Sequence, residues 1–345
     1  MPSIAAPLHV PTKGPSIPAT VRLASGDLTH RVVVRFRLDD GSATDVLGVL
    51  ERLDRWGLAV RRADGTLVEV PYGRALAAKR IPARRVTRRE VRSVELAAAR
   101  GWPGLEQAWV GGWLLRSGGG FTSRANSCVP LGPPDRPLDA AIAAMTAWYA
   151  ARELPPRFQL PVLLGAQLDR HLAARGWTEE GPAVVLTASL DRSGGGEDES
   201  VRAASPVELI AAPDAGWLER YRYRGSELPP PAPAVLAAVE GEVLAVGRGA
   251  VSLDDHDELW LGLTAVEVAP PARRRGLAHA LVAALLDWGR LCGAVRAYAQ
   301  VAADNADGLA FWERIGFAEH HRYAYRAAPG QPPGGAPQTI RDPVL

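Results

Sequence analysis

Apolar and polar residues alternate along residues 21–83, and the alternation comes in short pieces. Val32–Leu38, Val46–Arg52, Gly57–Arg62, Leu67–Tyr72 and a segment near Ala75–Ile81 each read as a strand with one face turned inward. Asp39-Asp40-Gly41 and Asp64-Gly65 supply turn chemistry between them. Short strands this closely spaced predict a small β-barrel. The period then changes. Residues 84–100 (RRVTRREVRSVELAAAR) read as a helix with a basic start. Trp109–Arg116 and Phe158–Leu164 predict strands, and Leu138–Arg152 predicts an amphipathic helix. Leu168–Arg175 is a second helix closed by Gly176 at a C-cap position, and Val184–Leu190 is a closing strand.

A Gly- and Ser-rich acidic stretch, residues 193–200 (SGGGEDES), reads as a linker. Beyond it, Ala234–Glu240 and Glu242–Val251 predict a hairpin turning at Gly241. Leu259–Val268 is a long apolar strand, Leu277–Leu291 a helix, Val295–Val301 a strand and Ala306–Ile315 another helix. Leu281, Leu285 and Trp288 recur at helical spacing and read as core. The order divides the chain into an arm (1–20), a barrel (21–83), a central segment (84–192), a linker (193–204), a final domain (205–328) and a tail (329–345). Five prolines in the arm and the Pro/Gly-rich tail predict disorder at both ends.

Composition narrows the function classes. Hydrophobic residues make up 47% and charged residues 23% of the 345 positions, so packed globular structure is expected. A formal net charge of +2 gives no global field of the kind that marks nucleic-acid binders. Arg84, Arg85, Arg88, Arg89 and Arg92 are interspersed with Glu90, with Glu95 just beyond, which reads as a solvated helix face. The two cysteines, Cys128 and Cys292, form no disulfide framework and no zinc spacing, so no metal is expected. The start of the chain lacks the apolar stretch of a signal peptide, and no apolar run reaches the ~18 residues of a membrane span. A soluble cytoplasmic protein is the expectation.

The segment with chemical content is Leu259–Leu291. The buried strand ends at Val268. Prolines 270 and 271 stop it, and Arg273-Arg274-Arg275-Gly276-Leu277-Ala278 leads straight into a helix. Gly276 lets a ligand approach the backbone, and Ala278 is small for the same reason. The first N–H groups of the helix have no intrahelical partner and sit at the positive end of the helix dipole. This is a site for a pyrophosphate, with three arginines as charge-assisted donors. It lacks the Gly-Lys-Ser/Thr ending of a P-loop and the three spaced glycines of a dinucleotide fingerprint. Farther on, Asn305 precedes Gly308-Leu309-Ala310-Phe311-Trp312-Glu313-Arg314-Ile315-Gly316-Phe317, a helix that Asn305 can cap and Gly316 can close.

These two segments resemble the GNAT family of N-acetyltransferases. Arg273-x-x-Gly276-x-Ala278 matches the family's coenzyme A loop, and Asn305 through Phe317 matches its second conserved segment. The resemblance covers residues 205–328. It implies an α+β fold, a mixed and mostly antiparallel sheet with helices on both faces. The cosubstrate is then acetyl-CoA. Backbone groups of Val266 and Val268 would pair with the pantetheine arm, and amides and side chains from Arg273, Arg274 and Arg275 through Gly276, Leu277, Ala278 and His279 would hold the pyrophosphate. Asn305 and Trp312 complete the cofactor set. One departure matters. The family usually has Tyr where this chain has Trp312, and an indole has no proton to give near neutral pH.

The catalytic candidates are Glu267 as general base and Tyr323 as acid, with Glu258, Asp257, His320 and His321 as further acid–base candidates. The whole layout resembles an actinobacterial GNAT group with an N-terminal SH3-like module, one mycobacterial member of which is described as a histone-type acetyltransferase. Gly111-Gly112-Trp113-Leu114-Leu115-Arg116 and Arg124-Ala125-Asn126-Ser127 resemble its central region. That module implies a structural or docking role, because it offers only Phe36, Trp56 and Tyr72 for an aromatic groove. Residues 101–190 repeat the element order of the final domain: Leu168…Arg175-Gly176-Trp177 parallels Phe311…Ile315-Gly316-Phe317. The central segment therefore reads as a degenerate GNAT-like half that lacks the phosphate loop, binds no coenzyme A and shapes the substrate cleft. The expected reaction is acetyl transfer to a primary amine, on a small molecule or a protein. The alternative is a catalytically weak acetyl-CoA sensor.

Overall fold

The computed structural model describes residues 18–62, 65–81, 85–190, 207–223, 234–239 and 243–330. Most of the predicted arm, the linker, the turn at Gly241 and most of the tail lie outside the described residues. The chain divides into two units, one carrying residues 1–85 and the other residues 86–190 and 198–345.

The first unit is a six-stranded sheet of β1 (Val21–Arg22), β2 (Arg31–Arg37), β3 (Ala43–Leu53), β4 (Gly57–Arg61), β5 (Leu67–Pro71) and β6 (Ala75–Arg80), in the order β1-β6-β2-β3-β4-β5. Alternation sends Val32, Val34 and Phe36 of β2 inward against Val46, Leu50, Leu58, Val60 and Val70. The closed SH3-like barrel expected from the sequence is not observed. A sixth strand, β1, adds parallel to β6, and the end strands β1 and β5 do not pair, so the sheet stays open.

The second unit is built on one eleven-stranded sheet. Helix α1 (Arg88–Gly101) opens it. Thr87 and Glu90 form its capping box, with Thr87 Oγ1 accepting from the Glu90 N–H. Strands β7 (Glu106–Val110) and β8 (Trp113–Ser117) form a hairpin where the sequence predicts one strand. Gly111 has φ +58, and a Cβ there would meet the Asp135 backbone, so the chain turns where alternation alone continues straight. β9 (Cys128–Pro130) and α2 (Leu138–Ala150) follow. β10 (Arg157–Pro161) runs straight into α3 (Val162–Ala173), so the predicted strand Phe158–Leu164 ends early. Its tail, Val162–Leu164, is the first turn of α3 behind Pro161, which stands at the N-cap with extended backbone angles. β11 (Thr178–Ser189) closes the central segment.

The final segment supplies β12 (Val207–Ile210), α4 (Ala215–Tyr221), β13 (Ala234–Val239), β14 (Ala245–Leu253), β15 (Leu259–Val268), α5 (Leu277–Leu291), β16 (Arg296–Ala302), α6 (Ala306–Arg314) and β17 (Ala318–Ala327). The sheet order is β12-β13-β14-β15-β16-β11-β17-β10-β9-β8-β7. The last strands of the two segments are interleaved. β11 lies between β16 and β17, and β17 lies between β11 and β10. On each side of this central pair the next two strands are parallel: β15 with β16, and β9 with β10. The two segments thus present matching element orders about β11 and β17. No helix among the described residues is long and apolar enough to cross a membrane.

A buried polar chain joins the segments. His321 Nε2 of β17 lies 2.8 Å from Glu95 Oε1 of α1, and Gln159 Nε2 of β10 donates to Glu95 Oε2 at 2.7 Å. Arg116 Nη2 of β8 donates to Gln159 Oε1 at 2.9 Å. Glu95 is only 1% exposed. Removing one partner of such a buried set leaves the others uncompensated, at a cost of about 3–5 kcal/mol. Glu95→Ala is expected to lower the melting midpoint of the larger unit by roughly 10 °C. A midpoint unchanged in calorimetry would show that the chain contributes nothing to stability.

Candidate active site

The site follows from where β15 and β16 stop pairing. Their parallel register runs from Trp260 against Arg296 to Leu263 against Ala299 and goes no farther. Just past that point β15 bulges against β14. The register slips between Val246 and Arg248, and Ala265 takes φ +56, an uncommon conformation for a side-chain-bearing residue. The bulge bends β15 away from β16 and opens a cleft lined by Leu263–Val266 on one side and Ala299–Val301 on the other, with Asn305, Gly308 and Trp312 at its wall.

Of the sequence-predicted cofactor residues, Val266, Asn305 and Trp312 line this cleft, and Val268 and the Arg273–His279 loop follow at the end of β15. The side chains of Val266 and Val268 pack into the core beneath α5, and Val266 also lines the cleft. Gly276 is the N-cap of α5, with φ +79 and ψ −1, and a Cβ built there would meet nothing within 4 Å. Leu277 is anchored in the core, whereas Arg274, Arg275 and His279 are exposed and Arg273 and Ala278 half-buried. The first helical bond runs from the Ala280 N–H to the Gly276 carbonyl, so the amides before it are free of the helix ladder. Arg273 Nε donates to the Val268 carbonyl at 3.4 Å, tying the loop to the end of β15. Asn305 caps α6, its Oδ1 accepting from the Gly308 N–H at 2.9 Å. A Cβ at position 308 would sit 2.6 Å from the Asn305 amide nitrogen, so glycine permits this close cap. Trp312 is buried, edge-on to Phe311 and Phe317, and lines the cleft.

The catalytic candidates separate. Glu267 is 5% exposed, on the face of β15 opposite Val266 and Val268, and like Tyr323 it is not among the residues lining the cleft, although its neighbour Val266 is. Arg222, at the end of α4, donates to its Oε1 at 2.9 Å, and its Oε2 has no hydrogen-bond partner among the described residues. Burial pushes its carboxyl above the usual range, against the pull of Arg222, Arg220 and Arg273. Tyr323 is 2% exposed, packed with Val94, Ala97, Trp260, Tyr298 and Tyr325, and is not among the residues lining the cleft. Asp257 and Glu258 precede β15, roughly 17 Å of extended chain before the split, and Glu258 Oε2 lies 3.4 Å from Arg296 Nε. His321 is committed to Glu95, with His320 beside it.

Four polar cleft residues were not among the predicted site residues: Arg124, Tyr221, Thr264 and Gln300. Gln300 left a trace, a lone carboxamide in an otherwise apolar strand. Arg124 stood in the Arg124-Ala125-Asn126-Ser127 phrase with nothing to tie it to the cleft, and Tyr221 left no trace, because they arrive from the loop before β9 and from α4. The central segment has no counterpart of the glycine loop: α2 starts at Leu138 behind Pro137 as its N-cap. Among the described residues no group of three or more His, Cys, Asp or Glu could hold a metal ion.

Residues 88–326 match the family described as "Probable histone acetyltransferase Rv0428c C-terminal", and residues 26–79 match the "Rv0428c N-terminal Sm-like domain". The probable histone acetyltransferase Rv0428c of Mycobacterium tuberculosis is 33% identical over 312 residues, covering 87% of this chain and 95% of that protein. The uncharacterized N-acetyltransferase YobR of Bacillus subtilis is 27% identical over 253 residues, covering 67% and 97%. Among solved structures, a GCN5-related N-acetyltransferase from Kribbella flavida superposes with a TM-score of 0.53 at 15% identity, over 74% of this chain and 98% of that one, a likeness of fold.

Proposed function

Because the chain belongs to the Rv0428c family of GNAT-type N-acetyltransferases, we propose that it carries the acetyl group of acetyl-CoA directly to a primary amine bound beside it in one ternary complex. The observation that carries this reading is the split between β15 and β16, which leads at its mouth to the left-handed Gly276 turn and the start of α5. The unpaired edge of β15 beyond Leu263 takes the pantetheine arm as an added strand would. The amides of the Gly276–His279 turn and the Arg273–Arg275 guanidiniums take the pyrophosphate. The thioester then lies near the bulge, where backbone N–H groups polarise its carbonyl.

The amine attacks the thioester carbon, its proton passes to a base, and the C–S bond breaks as the tetrahedral adduct collapses. Glu267 is the base in this proposal. Its unpartnered Oε2 can accept a proton, and burial has made it more basic than an ordinary carboxylate. Coenzyme A leaves as a thiolate beside the indole of Trp312. Among the described cleft residues the one phenol is that of Tyr221, which makes Tyr221 rather than Tyr323 the group placed to return a proton. Trp312→Phe removes an N–H donor and nothing acidic, so turnover is expected to fall only about two- to tenfold, and Trp312→Tyr to raise it. A hundredfold loss on Trp312→Phe would assign the indole a larger part.

The test of the function is release of free thiol from acetyl-CoA in the presence of a panel of amines, with acetylated product identified by mass. Trp312 in the place of the usual tyrosine favours a second reading, an acetyl-CoA sensor with weak chemistry. Tight acetyl-CoA binding with no thiol release from any amine would support it.

A further inference from the structure

The cleft carries polar atoms that the fold does not satisfy. Thr264 and Gln300 stand one residue past the last paired rung of β15 and β16. Leu263, Ala299 and Val301 face the core under α5, so strand alternation turns Thr264 and Gln300 to the opposite face. Gln300 is 7% exposed, and neither its Oε1 nor its Nε2 has a partner among the described residues; Thr264 Oγ1 is buried and unpartnered in the same way. Native folds retain few such groups, and those they keep call for an explanation. The matching strand of the central segment offers a comparison. Its carboxamide, Gln159 of β10, is satisfied on both sides, donating to Glu95 and accepting from Arg116.

The lining also has a sign. Arg124 enters from the central segment, its Nη2 lying 3.4 Å from the Gln300 carbonyl oxygen. No aspartate or glutamate lines the cleft among the described residues. Arg248 of β14, beside Tyr221, is 2% exposed; its Nη1 donates to the Gly101 carbonyl and its Nη2 has no partner among the described residues. The nearby carboxylate, Glu267, stands among Arg220, Arg222 and Arg273.

We infer that the acceptor is a small amino-carboxylic acid, its carboxylate taken by the Arg124 guanidinium, the Gln300 Nε2 and the Thr264 hydroxyl while its amine faces the thioester. This deepens the acetyl-transfer reading above and rests on it. Three donors, one of them cationic, match the acceptor-only oxygens of a carboxylate. A lysine-rich protein tail would bring positive charge beside the Arg124 guanidinium, and its ammonium groups would offer no acceptor to the Gln300 and Thr264 donors, which disfavours its binding.

Calorimetry on the full-length protein saturated with coenzyme A decides the matter. The titrants are the common amino acids, each beside its own carboxamide, and a lysine-rich peptide. At least one amino acid is expected to bind about 10- to 100-fold more tightly than its amide. Gln300→Leu and Arg124→Gln are expected to erase that preference. The wild-type pairs suffice by themselves if a variant fails to fold. Equal binding of every acid and its amide, no binding of any acid, or stronger binding of the peptide overturns the inference. Thiol release from acetyl-CoA, measured with the same acceptors, separates the two readings. Acid preference without thiol release leaves the carboxylate site standing and removes the transferase reading; thiol release without acid preference does the reverse.

Discussion

Replacing Gly276 with glutamate is expected to abolish measurable acetyl-CoA binding while moving the melting midpoint only a few degrees. Backbone strain and charge act together here. Gly276 sits at φ +79, where an L-residue is strained by roughly 1–2 kcal/mol. That strain alone is modest, because a Cβ there meets nothing within 4 Å and no core contact is disturbed. Charge has the greater effect. The new side chain places a carboxylate beside the α5 amides, at the position proposed for the pyrophosphate, so two anions would compete for one set of donors. The loss should exceed about a hundredfold, beyond what the ~2–3 kcal/mol of one or two charge-assisted hydrogen bonds represents. Gly276→Ala carries the strain without the charge and should keep most of the affinity. Calorimetric titration of both variants checks the argument; wild-type affinity in Gly276→Glu would remove the pyrophosphate from this turn.

Glu267→Gln should lower kcat by roughly 10²–10⁴-fold, the usual worth of a general base, while acetyl-CoA affinity is retained. The pH profile tests the same residue more sharply. Glu267 must be ionised to accept a proton, so the rate falls as pH drops through its pKa, which burial holds above the ordinary carboxylate range. Arg222 opposes that burial. Arg222→Met removes the opposing charge, raises the pKa further and should shift the acid limb of kcat to higher pH. A limb that stays in place in Arg222→Met, together with near-normal turnover in Glu267→Gln, would assign the base elsewhere.

How much of this was legible depends on whether the information was local. The strands of the first unit follow from alternation, because each has one apolar face. The turn and helix start at Arg273–Ala278 were readable because they are encoded in six consecutive residues, and the Asn305 cap because a cap is a local device. Three things were not local. The interleaving of β11 and β17 is a pairing between distant segments, to which strand patterns are blind. The start of α3 at Val162 was hidden because an apolar run after a strand continues equally well as strand or buried helix. Arg124 and Tyr221 reach the cleft only through the tertiary fold. Tyr323 shows the converse case: it was a candidate from its place on the last strand, and the packing of α1 over that face buries it outside the residues lining the cleft.

The interleaved strands also bear on how the molecule can be made. Arg157 of β10 finds its ladder partner only when Ala327 has been synthesised, and β16 leans on β11, laid down long before it. Neither half can therefore reach its native sheet as it leaves the ribosome; an early-emerging β11 must wait with open edges until nearly the whole unit is available. Such late, long-range closure makes for slow folding and a long exposure of pairing-competent backbone. It also means that the half bearing the glycine turn is not a separable module. Cut out alone, it would lack the strand between β16 and β17, and both strands would be left with open backbone edges that invite pairing with other chains.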